Sequence, residues 1–138
     1  MALQLVSAGS DSTGNLIGSS ARLLAERPDV QEELRSDRRL VPNFIEEVVR
    51  LESPFREHFR VAAHDTQLAG VDLAEGARIF LMWASANRDP EVFDRPDEIR
   101  LDRDGPRAHF GFGWGIHKCL GASLARLESA SWSIGCST

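Results

Sequence analysis

His109-Phe110-Gly111-Phe112-Gly113-Trp114-Gly115-Ile116-His117-Lys118-Cys119-Leu120-Gly121 is the stretch on which the reading of this chain turns. Its alternating glycines Gly111, Gly113 and Gly115 let a backbone pass close to something flat and bulky, where any Cβ would collide. They lead straight to a cysteine. Behind it, Leu120, Leu124 and Leu127 recur as on one face of a helix. Cys119 is therefore expected at or just before a helix N-terminus, where unpaired N–H groups and the dipole favour an anion. A thiol held in such a place deprotonates more readily and becomes a metal ligand or a nucleophile. The plain alternative is a glycine-rich turn ending in a small, buried structural cysteine.

Composition narrows the field. With 138 residues, 42% of them hydrophobic and 27% charged, the chain reads as one modest globular domain or a piece of a larger one. The longest apolar run, Ile79 to Ala84, is far too short to cross a bilayer. No basic-then-apolar leader opens the chain, so a cytoplasmic protein with no membrane partner is expected. A net charge of −5 is the wrong sign for nucleic acid. The two cysteines, Cys119 and Cys136, are too few for a disulfide scaffold, and His117 with Cys119 is too small a set for zinc. Cys136 lies in a Ser/Gly/Thr tail and reads as a bystander.

The cysteine stretch resembles the haem-binding loop of the cytochrome P450 family. That pattern runs Phe, two residues, Gly, one residue, His or Arg, one residue, Cys, one residue, Gly. Phe112, Gly115, His117, Cys119 and Gly121 fill it without mismatch. The resemblance implies haem b (iron protoporphyrin IX) with Cys119 as axial thiolate and metal ligand. Phe112, Gly113, His117 and Gly121 would help to bind the cofactor.

Further segments extend the resemblance. Ala8-Gly9-Ser10-Asp11-Ser12-Thr13-Gly14-Asn15 reads as a loop by propensity, because Gly, Ser, Asp and Asn disfavour helix interiors. It is similar, however, to the acid–alcohol segment of the family's long oxygen-binding helix, through Ala8, Gly9, Asp11 and Ser12. There the backbone ladder is opened by hydroxyls or water. The resemblance gives Asp11 and Ser12 a catalytic part in delivering protons: a hydroxyl can hold water, and a carboxylate can relay protons from solvent. Ser12 lacks the methyl of the usual threonine, so its rotamer is less restricted. The alternative for this stretch is an ordinary turn or helix cap.

Pro28 suits the first turn of a short helix carrying Val30 and Leu34. Pro42 opens another, in which Phe44, Val48 and Leu51 mark a buried face, and Ser53-Pro54 closes it. Glu47 and Arg50 are neighbours on that helix and match the family's Glu-x-x-Arg. This implies a buried network, with Arg103 as third member and Arg100 as alternate. Arg60, six residues after Pro54, resembles the family's propionate-binding arginine. From Val61 to Met82 the pattern is strand-like, with turns at Gly70 and Gly76, giving a small antiparallel meander. An irregular segment follows, through Arg103.

The expected fold is mainly α with a small antiparallel β meander. It is a single partial domain over residues 1–138: a partial cytochrome P450 fold, from the end of the oxygen-binding helix through the cysteine-loop helix. Residues 129–138 form a divergent tail in which the amphipathic pattern is lost. The resemblance implies a haem-thiolate monooxygenase, or a fragment of one, that hydroxylates or dealkylates a small organic substrate. A ferredoxin- or flavodoxin-like donor would supply its electrons. The other reading is a non-enzymatic or vestigial haem-binding fragment without a closed substrate pocket.

Overall fold

The computed structural model describes residues 2–136. Its helices are α1 (Ala2–Glu26), α2 (Pro28–Ser36), α3 (Val41–Glu52), the short α4 (Trp83–Ala86) and α5 (Ala122–Cys136). The strands β1 (His58–Val61), β2 (Thr66–Leu68), β3 (Val71–Leu73) and β4 (Arg78–Leu81) lie between α3 and α4. Ser137, Thr138 and the Cys136 side chain, which belong to the expected tail, lie outside the described residues. Among the described residues no helix is long and apolar enough to cross a membrane.

The core forms around α3. Phe44, Ile45, Val48 and Val49 are buried there, joined by Leu16 and Leu24 from α1, Val30 and Leu34 from α2, and Leu101. Pro42 sits in the first turn of α3, where its missing N–H costs nothing. The helix ends at Ser53, which adopts the left-handed conformation at φ 40°. Ser53 Oγ donates to the Arg50 carbonyl and accepts from Asn87 Nδ2, two bonds that hold a conformation unusual for a residue with a Cβ.

The polar insert of α1 is helical, against its propensity. Helix stability in a folded protein comes mostly from packing of one face. Here Leu16, Ser20 and Leu24 supply that face four residues apart. The backbone ladder is not opened at the insert. Ser10 and Ser12 instead donate back to the Val6 and Ala8 carbonyls, both at 2.7 Å.

The strands are antiparallel and nested: β1 pairs with β4, and the β2–β3 hairpin lies between them in sequence. Phe59 stands opposite Phe80, their rings stacked at 4.8 Å. Arg60 stands opposite Ile79, on the other face.

The last helix continues through the tail. Among its described side chains the buried positions are small: Ala122, Ser129 and Ser133, which let α5 pack close to α1 and α3. An amphipathic search for large apolar residues passes over such a face. Ser133 Oγ donates to the Ser129 carbonyl at 2.9 Å. Ser129 Oγ is buried with no hydrogen-bond partner among the described residues. An unsatisfied buried hydroxyl costs about 1–3 kcal/mol. Ser129→Ala is therefore expected to raise the unfolding free energy by about 1 kcal/mol, measured by urea titration. A loss of stability would mean that the hydroxyl has a partner.

Candidate functional site

Consecutive residues on a helix point about 100° apart, and α3 carries carboxylates at two adjacent buried positions, Glu46 and Glu47. Each gathers a different part of the chain.

Glu47 faces the irregular segment after α4. Arg50 Nε and Nη2 donate to its two oxygens at 2.8 and 3.0 Å, and Arg103 Nε donates to Oε1 at 2.9 Å. Arg100 joins through its backbone N–H, 3.0 Å from Oε2, while its side chain pairs with Asp94 and Asp102. The excess positive charge is spread onto carbonyls. Arg50 also donates to Asn87, Pro96 and Glu98, and Arg103 to Asp94. Both guanidinium groups lie over the Phe93 ring. Burial alone would raise the Glu47 pKa, but these donors hold it below the ordinary carboxylate value.

Glu46 faces the cysteine loop. His109 Nε2 lies 2.9 Å from Oε2, and Arg126 of α5 donates through Nε at 2.5 Å and Nη2 at 3.0 Å. Arg107 adds an ion pair at 3.3 Å. Gly111 N–H donates to His109 Nδ1 at 3.1 Å. Nδ1 is thus the acceptor and Nε2 carries the proton given to Glu46. Arg126 also stacks over Phe112, 4.4 Å from the ring centroid.

Loop and body meet at two more places. Phe110 N–H donates to Asn87 Oδ1 at 2.7 Å, and the Phe110 and Trp83 rings stack at 5.7 Å. Gly111 lies so close to α3 that a Cβ would strike Val49 Cγ1. The close approach expected of this glycine is thus to the protein's own helix. Gly113, at φ 68°, bends the turn.

Within the loop, Cys119 N–H donates to the Phe112 carbonyl at 2.8 Å, and Ala122 N–H reaches back to the Cys119 carbonyl at 3.4 Å. Cys119 stands in the turn just ahead of α5, and its thiol is exposed. A Cβ on Gly121 would lie 3.9 Å from its sulfur. His117 sits in a single 3-10 turn, Gly115–His117. Around the thiol the surface is apolar and open: Ile116 is 97% exposed, Leu120 89% and Trp114 65%. Arg60 is exposed on β1 and donates to the Phe59 carbonyl. Asp11 is exposed on the N-terminal half of α1, and Ser12 beside it is half-buried.

The sequence reading singled out Glu47, Arg50 and Arg103, and the structure brings these together. It missed Glu46, His109, Arg126 and Asn87. The available signal was a second carboxylate inside the apolar run Phe44–Leu51, which cannot face solvent when its neighbours are buried on every side.

The donor set suits a haem. One exposed soft thiol lies among apolar side chains that can cover a macrocycle, and Arg60 and His117 carry N–H donors fit for carboxylates. An exposed thiol on a glycine turn, together with a buried Glu-x-x-Arg pair on the core helix, matches the pattern of the haem-thiolate class. The chain belongs to the cytochrome P450 family, whose profile matches residues 2–131. Haem b on a cysteine thiolate is that family's prosthetic group. Cytochrome P450 144 of Mycobacterium tuberculosis is 46% identical over 129 residues, 94% of this chain and 30% of that protein. Cytochrome P450-terp of a Pseudomonas species is 41% identical over 90% of this chain and 29% of its own length. Among solved structures, substrate-free CYP150A6 of Mycobacterium marinum superposes with a TM-score of 0.91 at 42% identity, over 96% of this chain and 32% of that one. CYP109E1 of Bacillus megaterium, in complex with corticosterone, gives 0.92 at 38% identity over 96% and 36%. The chain thus spans about a third of the length of the relatives it matches.

Glu46 makes a pH prediction. Burial opposes its ionisation, but His109 and Arg126 hold its pKa down, from 4.5 to about 2. A depressed carboxylate stabilises the fold above its unfolded pKa and loses that contribution as pH falls through the folded value. The stability difference between wild type and Glu46→Gln should be flat above pH about 4.5 and shrink toward pH about 2. Urea titrations at several pH values check this, and a pH-independent difference refutes it.

Proposed function

We propose that this chain is the haem-binding C-terminal part of a cytochrome P450 monooxygenase, acting in the cytoplasm on a small organic substrate. The observation that carries the reading is the exposed Cys119 thiol, presented on an apolar surface by a loop anchored at both ends. Cys119 would hold the iron as thiolate, and Arg60 and His117 would bind the propionates. Phe112, Gly113 and Gly121 shape the turn beside the sulfur. A bound haem with a thiolate ligand supplies oxygen activation, for which cytochrome P450 enzymes are the standard case. Ser12 holds a proton at Oγ, which donates to the Ala8 carbonyl and keeps its lone pairs for water. Asp11, exposed to solvent, passes protons toward it.

Electrons must come from outside, and a ferredoxin- or flavodoxin-like donor suits a bacterial relative set. The shared part of the fold does not choose the substrate. Structures of comparable similarity hold corticosterone, a hexadecenoic acid on acyl carrier protein, or an ethylphenyl phosphate. A second reading, a haem-binding remnant without turnover, is favoured by one observation: the apolar side chains around Cys119 are open to water.

Reduction of the haem-loaded protein under carbon monoxide is expected to give the strongly red-shifted Soret band of a thiolate-ligated iron. Cys119→Ala should lose the shift while keeping haem. An unshifted band in the wild type sinks both readings, and donor-driven oxidation of a simple aromatic separates enzyme from remnant. In the active enzyme, Ser12→Thr should release less peroxide per product formed, because the branched side chain fixes the hydroxyl. Equal coupling in the two proteins removes the role given to Ser12.

A further inference from the structure

We propose that Glu46 is the positioning residue of the cysteine loop, a single buried carboxylate on α3 that clamps the loop at its entrance through His109 and at its exit through Arg126. The proposal rests on the haem-thiolate reading for the purpose of the sulfur, while the clamp is a property of the polypeptide itself.

The hydrogen bonds inside the loop are local. Gly113 N–H to the Phe110 carbonyl, Lys118 N–H to Gly115 and Cys119 N–H to Phe112 set the loop's shape. None of them fixes where that shape points. Residues 114–120 are all exposed, and apart from the edge of the Trp114 ring against Phe110 packing does little to orient them. Orientation must come from the flanks.

At the entrance, His109 is 4% exposed and bridges Glu46 Oε2 to the Gly111 N–H. At the exit, Arg126 makes a two-pronged contact with both Glu46 oxygens and covers the Phe112 ring, whose carbonyl receives the Cys119 N–H. Entrance and exit thus converge on one carboxylate, which is itself 3% exposed on the core helix. Asn87 supports the entrance through Phe110 but makes no bond to the exit among those described. Glu47, one residue on, serves the other side of α3 and cannot substitute.

A carboxylate can accept from both partners at once. An amide in its place must turn an N–H₂ either toward Arg126 Nε or toward the His109 and Arg126 Nη2 donors that share Oε2, and it loses the charge in both cases, so Glu46→Gln weakens the bridge with almost no change in volume. Arg126→Leu opens only the exit and leaves the Glu46–His109 bond intact.

The test is amide hydrogen exchange on the full chain, comparing wild type with Glu46→Gln and Arg126→Leu. Exchange at Gly111, Cys119 and Ala122 should accelerate on the order of 10- to 100-fold in Glu46→Gln, while Val48, Val49 and the β1–β4 pair change far less. Arg126→Leu should accelerate Cys119 and Ala122 and spare Gly111. If Glu46→Gln does not fold, Arg126→Leu decides alone. Unchanged loop exchange, or a rise shared equally by the α3 core, overturns the clamp.

The haem-loaded protein gives an independent readout. Under carbon monoxide, Arg126→Leu should move part of the red-shifted Soret band to the unshifted position at unchanged haem content. A full red-shifted band in Arg126→Leu overturns the positioning role. Should the wild type itself show no red-shifted band, the haem-thiolate reading fails and the exchange result still decides the clamp.

Discussion

Two adjacent carboxylates inside one helix are the constraint around which the rest of this chain is arranged. Glu46 and Glu47 are both buried in α3, and an ionised carboxylate out of water must be paired and hydrogen-bonded. Their roughly 100° separation on the helix sends them to different partners. Glu47 draws in Arg50, Arg103 and the Arg100 backbone, and so folds the irregular segment down onto α3. Glu46 draws in His109 and Arg126, and so seats the cysteine loop and α5. Such networks add little net stability over an apolar core, but removing one partner costs about 3–5 kcal/mol, because a buried charge is left alone. Their value lies in geometry. Each bond has a direction that hydrophobic contact lacks.

That geometry explains how a thiol is kept exposed and yet placed. The loop around Cys119 has almost no packing of its own; Ile116 and Leu120 stand nearly free of contact. A segment so exposed would wander if it were held only by apolar burial. Instead its backbone closes on itself through the Cys119–Phe112 bond, and its flanks are pinned to one helix. Asn87 adds a third tie. One amide accepts from Phe110 and donates to Ser53, and the same residue's carbonyl receives Arg50, joining α3, α4 and the loop. The arrangement leaves the apolar surface around the thiol open.

The local parts of this architecture were legible in the residues. Pro28 and Pro42 mark helix starts, the spacing of Phe44, Val48 and Leu51 marks a buried face, and Gly70 and Gly76 mark turns. Each of these rests on the stereochemistry of a few neighbouring residues. In two segments the structure goes beyond what local rules indicate. Ala8–Asn15 is rich in helix-disfavouring residues and is nevertheless helical. Residues 129–136 lack a large apolar stripe and still continue α5, because α1 accepts a face of serines and alanine. In both cases packing against a distant helix outweighed propensity, which is worth less than about 1 kcal/mol per ordinary residue.

The sequence alone determined the chemistry on offer: one thiol on a glycine turn, a Glu-x-x-Arg pair three residues apart, and a hydroxyl beside an acid. Those patterns are contiguous, so covalent connectivity already fixes their spacing. Only the tertiary structure decided that Glu46, sixty-three residues before His109 and eighty before Arg126, binds them both. Contacts across such separations depend on how helices cross and which faces meet, and no local rule of spacing or propensity encodes that. The thiol's place in the loop is written in the order of its residues; the loop's aim is set by the carboxylate of another helix.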